Sequence, residues 1–175
     1  MRQAPMSLSI RPEQPADASA VREMHRVTFG REDEARLVDQ LRAHGKALVS
    51  LVAEFDGELV GHILFSPVSI EGNAGFRGAG MAPLAVLPAF QRRGVGTRLT
   101  QAGLEACRAA GLPFVVVLGE PDFYRRFAFE KASARGLRNA YGVDDPFMVI
   151  ELRSASLPPG GGLVKYAPEF ADLGP

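Results

Sequence analysis

The chain has 175 residues, of which 46 % are apolar and 23 % charged, the size and composition of one folded domain with a substantial core. Twenty basic side chains balance twenty acidic ones, so there is no net field to hold a polyanion and nucleic acid is not an expected partner. One cysteine, Cys107, excludes an internal disulfide and leaves no zinc ligand set.

The opening "MRQAPMSLSI" lacks an apolar leader core, and no run approaches bilayer-spanning length. A soluble cytoplasmic protein without a membrane partner is expected. "SLSIRP" (7–12) alternates weakly and predicts a first strand. Pro15 then opens a helix whose stripe is Ala18, Val21, Met24, His25 and Thr28, ended by Gly30. A second helix is predicted over 31–44, with acids in its first turn as the helix dipole prefers and Gly45 after it. Two β-rich runs in 47–70 flank Asp56-Gly57, a strong two-residue hairpin signal. The glycine-rich 71–80 reads as a loop, and 81–87 as another strand.

A helix is predicted over 94–111, with Val95, Leu99, Ala102, Ala106 and Ala109 on one face. "PFVVVLG" (113–119) is apolar without alternation, the pattern of a central strand covered on both faces. A short helix fits 121–129, and 146–152 is a last strong strand. "LPPGGGL" (157–163) reads as a flexible joint within one domain spanning 1–175, and the tail "LVKYAPEF" as an added edge strand. Hairpins together with a single crossover helix predict an α/β (α+β) layered domain with a mixed sheet.

"QRRGVGT" (91–97) stands directly between a strand and a helix. The first turn of a helix leaves backbone N–H groups without partners, and the dipole makes that end positive. Gly94 and Gly96 let a phosphate approach those amides, and Arg92 and Arg93 add charge beside them. A P-loop needs Lys-Ser/Thr after its last glycine, but Thr97-Arg98 follows Gly96. The dinucleotide fingerprint needs a third glycine or alanine, at a position held by Leu99. A glycine-containing turn with surface arginines is the competing reading. A phosphate-transfer enzyme is disfavoured, because no metal-binding carboxylate cluster accompanies the glycines, and no metal is expected.

Gln91-Arg92-Arg93-Gly94-Val95-Gly96 resembles the acetyl-CoA signature of the GCN5-related N-acetyltransferase family, Gln/Arg-x-x-Gly-x-Gly/Ala. "PLAVLPAFQRRGVGTRL" (83–99), "VVLGEPDFYRRFAF" (116–129), and "PFMVIEL" with "GGLVKYAPEF" extend the resemblance over essentially the whole chain in the family's order. It implies a mixed sheet splayed between the fourth and fifth strands, with helices on both faces. Pantetheine would lie in the gap against the backbone of Leu84, Ala85 and Val86. An N–H near Val86 would polarise the thioester carbonyl. Amides from Arg93 to Thr97, Val95 included, would hold the pyrophosphate.

The resemblance also assigns Tyr124 as the acid that protonates the leaving thiolate, against the reading of a packed aromatic among Phe123, Phe127 and Phe129. Phe127-Ala128-Phe129 stands where the family has Phe-Gly-Phe. The general base is poorly specified: the strand 81–87 holds no carboxylate, Glu120 is the candidate, and capping of the short helix is its competing role. Asp122 reads as a cap, His62 as a core or surface imidazole, and His25 and His44 as helix residues. The implied activity is acetyl transfer from acetyl-CoA to a primary amine, in a small molecule or a peptide, within a ternary complex. The alternative is a non-catalytic acyl-CoA-binding or sensing domain. Monomer and homodimer both remain open.

Overall fold

A computed structural model describes residues 7–173. In chain order the elements begin β1 (Leu8–Pro12), α1 (Ala18–Phe29), α2 (Asp33–Ala43), β2 (Val49–Phe55), β3 (Glu58–Ile70) and β4 (Arg77–Val86). They continue α3 (Val95–Ala109), β5 (Phe114–Leu118), α4 (Pro121–Arg125), β6 (Glu130–Lys131), β7 (Leu137–Asn139), β8 (Phe147–Glu151) and β9 (Gly162–Tyr166). Pro15 opens a 3-10 turn rather than α1 itself, which starts at Ala18. Asp56 and Gly57 both take positive φ, 50° and 82°, as a tight turn matched to the twist of β2 and β3 requires.

The strands order as β1-β2-β3-β4-β5-β8-β6. β9 lies beside the distal half of β3, with β7 on its other side. The tail strand expected at an edge is therefore flanked on both sides. β4 begins four residues before the predicted strand, inside the glycine-rich stretch read as a loop. Aromatic rings lie on its bare backbone: a β-carbon at Gly78 would come within 2.6 Å of Phe114, and one at Gly80 within 2.7 Å of Tyr166. These glycines are strand residues that make room for rings, and composition alone does not reveal that.

Strand alternation divides the apolar residues between two faces. Leu51 and Ala53 of β2 pack with Leu99 and Cys107 of α3, whereas Val52 meets Val21, Leu37 and Leu41 of α1 and α2. Along β5, Val115 and Val117 join the α3 side, while Phe114 and Val116 face Phe147 and Val164. Full burial of each Val, Leu or Phe side chain among them contributes roughly 1.5–3 kcal/mol. Burial pushes the Cys107 thiol up to about 12, which keeps it protonated. Among the described residues, no helix is long and apolar enough to cross a membrane.

One feature of this sheet makes the site. β4 and β5 run parallel but pair only at Ala79–Val115 and Gly80–Val116. Beyond Gly80 the two strands have no ladder between them, and the sheet forks.

Candidate functional site

The β4 arm of the fork presents backbone to the gap. Leu87 N–H donates to Val60 O at 2.9 Å, so it points towards β3. Successive strand residues point in opposite directions, which turns the N–H and C=O of Val86 and Leu84 to the open edge. The Val86 carbonyl accepts there from the Gln91 side-chain amide at 3.0 Å. Ala85, expected to offer backbone to the gap as well, instead sits opposite His62 in the β3 ladder and keeps its side chain in the core. Between the pairs Ile63–Leu84 and Phe65–Met81, β4 carries one extra residue, at a cis Ala82–Pro83 peptide. Pro83 thus lies where the ladder is interrupted, as its missing N–H demands.

From β4 the chain turns through Arg92, with φ of 62°, and Gly94, with φ of 82°, the residue before the first turn of α3. Left-handed backbone favours glycine at position 94 whatever the space around it. The first N–H of this region to reach a backbone acceptor is that of Arg98, bonded to Gly94 O at 3.0 Å. Those of Val95, Gly96 and Thr97 have no acceptor among the described residues. A β-carbon on Gly96 would stand 3.9 Å from its nearest neighbours, Phe123 and Val86, so packing does not demand a glycine there.

These elements border a cleft of about 560 Å³. Leu84 and Val86 form one wall, Gln91 to Thr97 without Arg93 the end, Phe123 and Arg126 of the β5 arm the other wall, and Thr28 of α1 a further edge. Arg93 lies outside this lining, its guanidinium over the Phe90 ring. No carboxylate lines the cleft, and Arg92, Arg93 and Arg126 have no carboxylate partner among the described residues. The field there is positive, in a chain of zero net charge.

Tyr124 sits on α4, buried, with its ring edge-on to Phe123 and Phe129. Its hydroxyl has no hydrogen-bond partner among the described residues, and Phe123 rather than Tyr124 lines the cleft. Burial pushes the phenol up to about 12. Glu120 is exposed at the N-cap of α4; its carbonyl accepts the Phe123 and Tyr124 N–H groups at 3.1 and 3.2 Å, and its side chain makes no capping bond. Asp122 does not cap either: its carboxylate binds Arg125 at 3.0 Å. α4 ends at Arg125, and Ala128 takes φ of 72° in the position where the family has glycine.

The histidines form no part of the cleft lining. His25 Nε2 lies 2.8 Å from His62 Nδ1, both rings fully buried, and His62 Nε2 lies 2.8 Å from Ser50 Oγ. Ser50 Oγ–H donates to Glu13 Oε2 at 2.5 Å, and Arg42 pairs with the same carboxylate. A carboxylate only accepts, so the Ser50 proton is committed to Glu13 and its oxygen accepts from His62. His62 Nδ1 then accepts from His25 Nε2–H. One ionised acid thereby fixes the tautomers of both imidazoles, and the network ties α1 to β2 and β3. His44, the residue that ends α2 as its C-cap, instead binds Glu169 at 2.8 Å on the surface. Sequence reasoning missed both this network and Arg126.

The family model of the acetyltransferase (GNAT) family matches residues 18–129. The N-acetyltransferase YhbS of Escherichia coli is 37 % identical over 163 residues, covering 92 % of this chain and 97 % of that protein. The chain belongs to the acetyltransferase (GNAT) family. A crystal structure of E. coli YhbS in complex with CoA matches 99 % of this chain and 97 % of its own, with a TM-score of 0.92 and 35 % identity. A GNAT acetyltransferase from Brucella melitensis in complex with acetyl-CoA matches with a TM-score of 0.78 and 36 % identity, covering 94 % of this chain and 98 % of its own. The expected family and its forked mixed sheet are thus both borne out.

Proposed function

We propose that this GNAT family member transfers the acetyl group of acetyl-CoA to a primary amine. The carrying observation is the cleft itself: free first-turn amides, unpaired arginines and an open strand edge meet in one space without a carboxylate. The diphosphate lies on the Gly94–Thr97 amides, with Arg92 supplying charge in the cleft and Arg93 adding to the field from outside it. The pantetheine arm follows β4, pairing with the open-edge groups of Val86 and Leu84. An N–H of this pair polarises the thioester carbonyl as the oxyanion develops. CoA and acetyl-CoA in the two related crystal structures support the same ligand here.

The amine attacks the thioester directly; the N–C bond forms as the C–S bond breaks. The nitrogen's proton passes through a water to the Glu120 carboxylate, which stands exposed at the N-cap of α4, outside the cleft lining. Tyr124 gives its proton to the departing sulfur. A phenol raised by burial stays protonated at working pH and releases its proton only as thiolate charge grows. Direct attack also agrees with Cys107, which lies on the inward face of α3, fully buried in the core.

Calorimetric titration of acetyl-CoA tests the binding half of this reading. Gly96→Leu, which projects into the cleft from a site with room for a β-carbon, should fold normally and lose affinity by at least about tenfold. Unchanged affinity would remove the diphosphate assignment.

A further inference from the structure

Arg126 is exposed yet fixed. It follows α4 on the β5 arm, and its Nη2–H donates to Thr97 Oγ1 at 2.7 Å, in the first turn of α3 on the β4 arm. Its guanidinium carbon stands 4.9 Å from the Phe123 ring centre and 5.6 Å from that of Phe127, both within the range of cation–π attraction. Among the described residues this is the one side-chain hydrogen bond joining the first turn of α3 to α4. The adjacent Arg125 is neutralised by Asp122, three residues before it, and Arg126 has no such partner. A cation is therefore held across the mouth of the fork with no anion of the protein to meet it.

The donor inventory shows what it is ready to bind. A guanidinium carries five N–H donors, and Thr97 uses one of them. Thr97 Oγ1 accepts that bond, so its own hydrogen is free to donate, beside the free Thr97 and Gly96 amides. All of these groups present hydrogen to the same end of the cleft. Planar, always charged donors of this kind suit phosphate oxygens.

We propose that Arg126, held by Thr97, is a cofactor-binding residue outside the glycine signature, closing over the diphosphate of acyl-CoA from the β5 arm. This rests on reading the cleft as a CoA site. Thr97 and Arg126 act as one unit, and the unit also tethers the short helix that carries Tyr124.

Calorimetry with three probes tests it: CoA, 3′-dephospho-CoA, which keeps the diphosphate, and pantetheine, which has no phosphate. Arg126→Ala should weaken CoA and 3′-dephospho-CoA alike, by roughly 10- to 100-fold, and leave pantetheine unchanged. Thr97→Val should weaken the same two probes less, and adding it to Arg126→Ala should weaken them no further. Arg126→Lys should recover part of the loss. Loss confined to CoA would move the contact to the 3′-phosphate and overturn the diphosphate assignment. Equal loss for pantetheine would reduce Arg126 to a packing role, and no loss for any probe would refute the proposal. Failure of the unmodified protein to bind CoA would instead overturn the function proposed above.

Discussion

The Tyr124 ring lies on the bare backbone of Gly119: a β-carbon at position 119 would stand 2.4 Å from a ring carbon. β5 is thus followed directly by a residue whose missing side chain sets the depth of the proposed acid. Gly119→Ala must shift that ring, because backbone at the end of a strand cannot give way by the distance needed. Turnover should fall while acetyl-CoA affinity, set on the α3 side, changes little. Tyr124→Phe keeps the ring and removes the proton, so it should lower kcat by roughly 100-fold or more with dissociation constants for acetyl-CoA within about twofold. Steady-state kinetics beside calorimetry separate the two effects. Parallel losses of kcat and affinity in Tyr124→Phe would make the residue a packing aromatic.

Glu120→Gln removes the proposed proton acceptor without altering the N-cap carbonyl that holds α4. A fall in kcat of roughly 10²–10⁴-fold is expected, the span of general base contributions, with acetyl-CoA affinity and thermal stability unchanged. Wild-type turnover in this variant would return the glutamate to a surface role.

The buried histidines make stability depend on pH. Burial, and then the neighbouring His62, push His25 down to about 3. Against the burial that works to raise it, Glu13 is held down at about 2 by His62, whose Nε2 lies 3.4 Å away, and by the Ser50 hydroxyl bonded to it. Between pH 6.5 and about 3 the unfolded chain binds a proton at position 25 that the native chain refuses, so stability falls as pH falls. Glu13 adds a loss of the same sign from about pH 4.5 to about 2, where its stabilising ionised form is protonated. Melting temperature should decline from pH 7 to pH 4.5, and His25→Leu should make the decline shallower. An unchanged slope in that variant would contradict the buried neutral pair.

What could be read from the sequence followed from locality. Asp56-Gly57 specifies its turn through two residues, and "PFVVVLG" declares a doubly covered strand through its lack of alternation. The glycine turn before α3 was legible because the helix terminus it opens lies next to it in the chain. Gly78 and Gly80 misread as loop because the rings that explain them, Phe114 and Tyr166, come from strands far along the chain. The His25–His62–Ser50–Glu13 network needs α1 laid over β2 and β3, and the Arg126–Thr97 bond needs the fork closed at its mouth. Only the freedom of Arg126 left a trace: Asp122 stands at helical spacing from Arg125, leaving the second arginine unmatched.

Amine-dependent release of free CoA thiol from acetyl-CoA tests the central claim most directly. The purified chain should be assayed against small amines, amino acids, aminoglycosides, and peptides bearing free N-termini or lysines. At least one amine should stimulate release by wild-type protein far above the amine-free rate, with stoichiometric acetylated product and near-complete loss in Tyr124→Phe. Tight acetyl-CoA binding with no amine-dependent release anywhere in that panel would contradict the enzyme and leave an acyl-CoA-sensing domain.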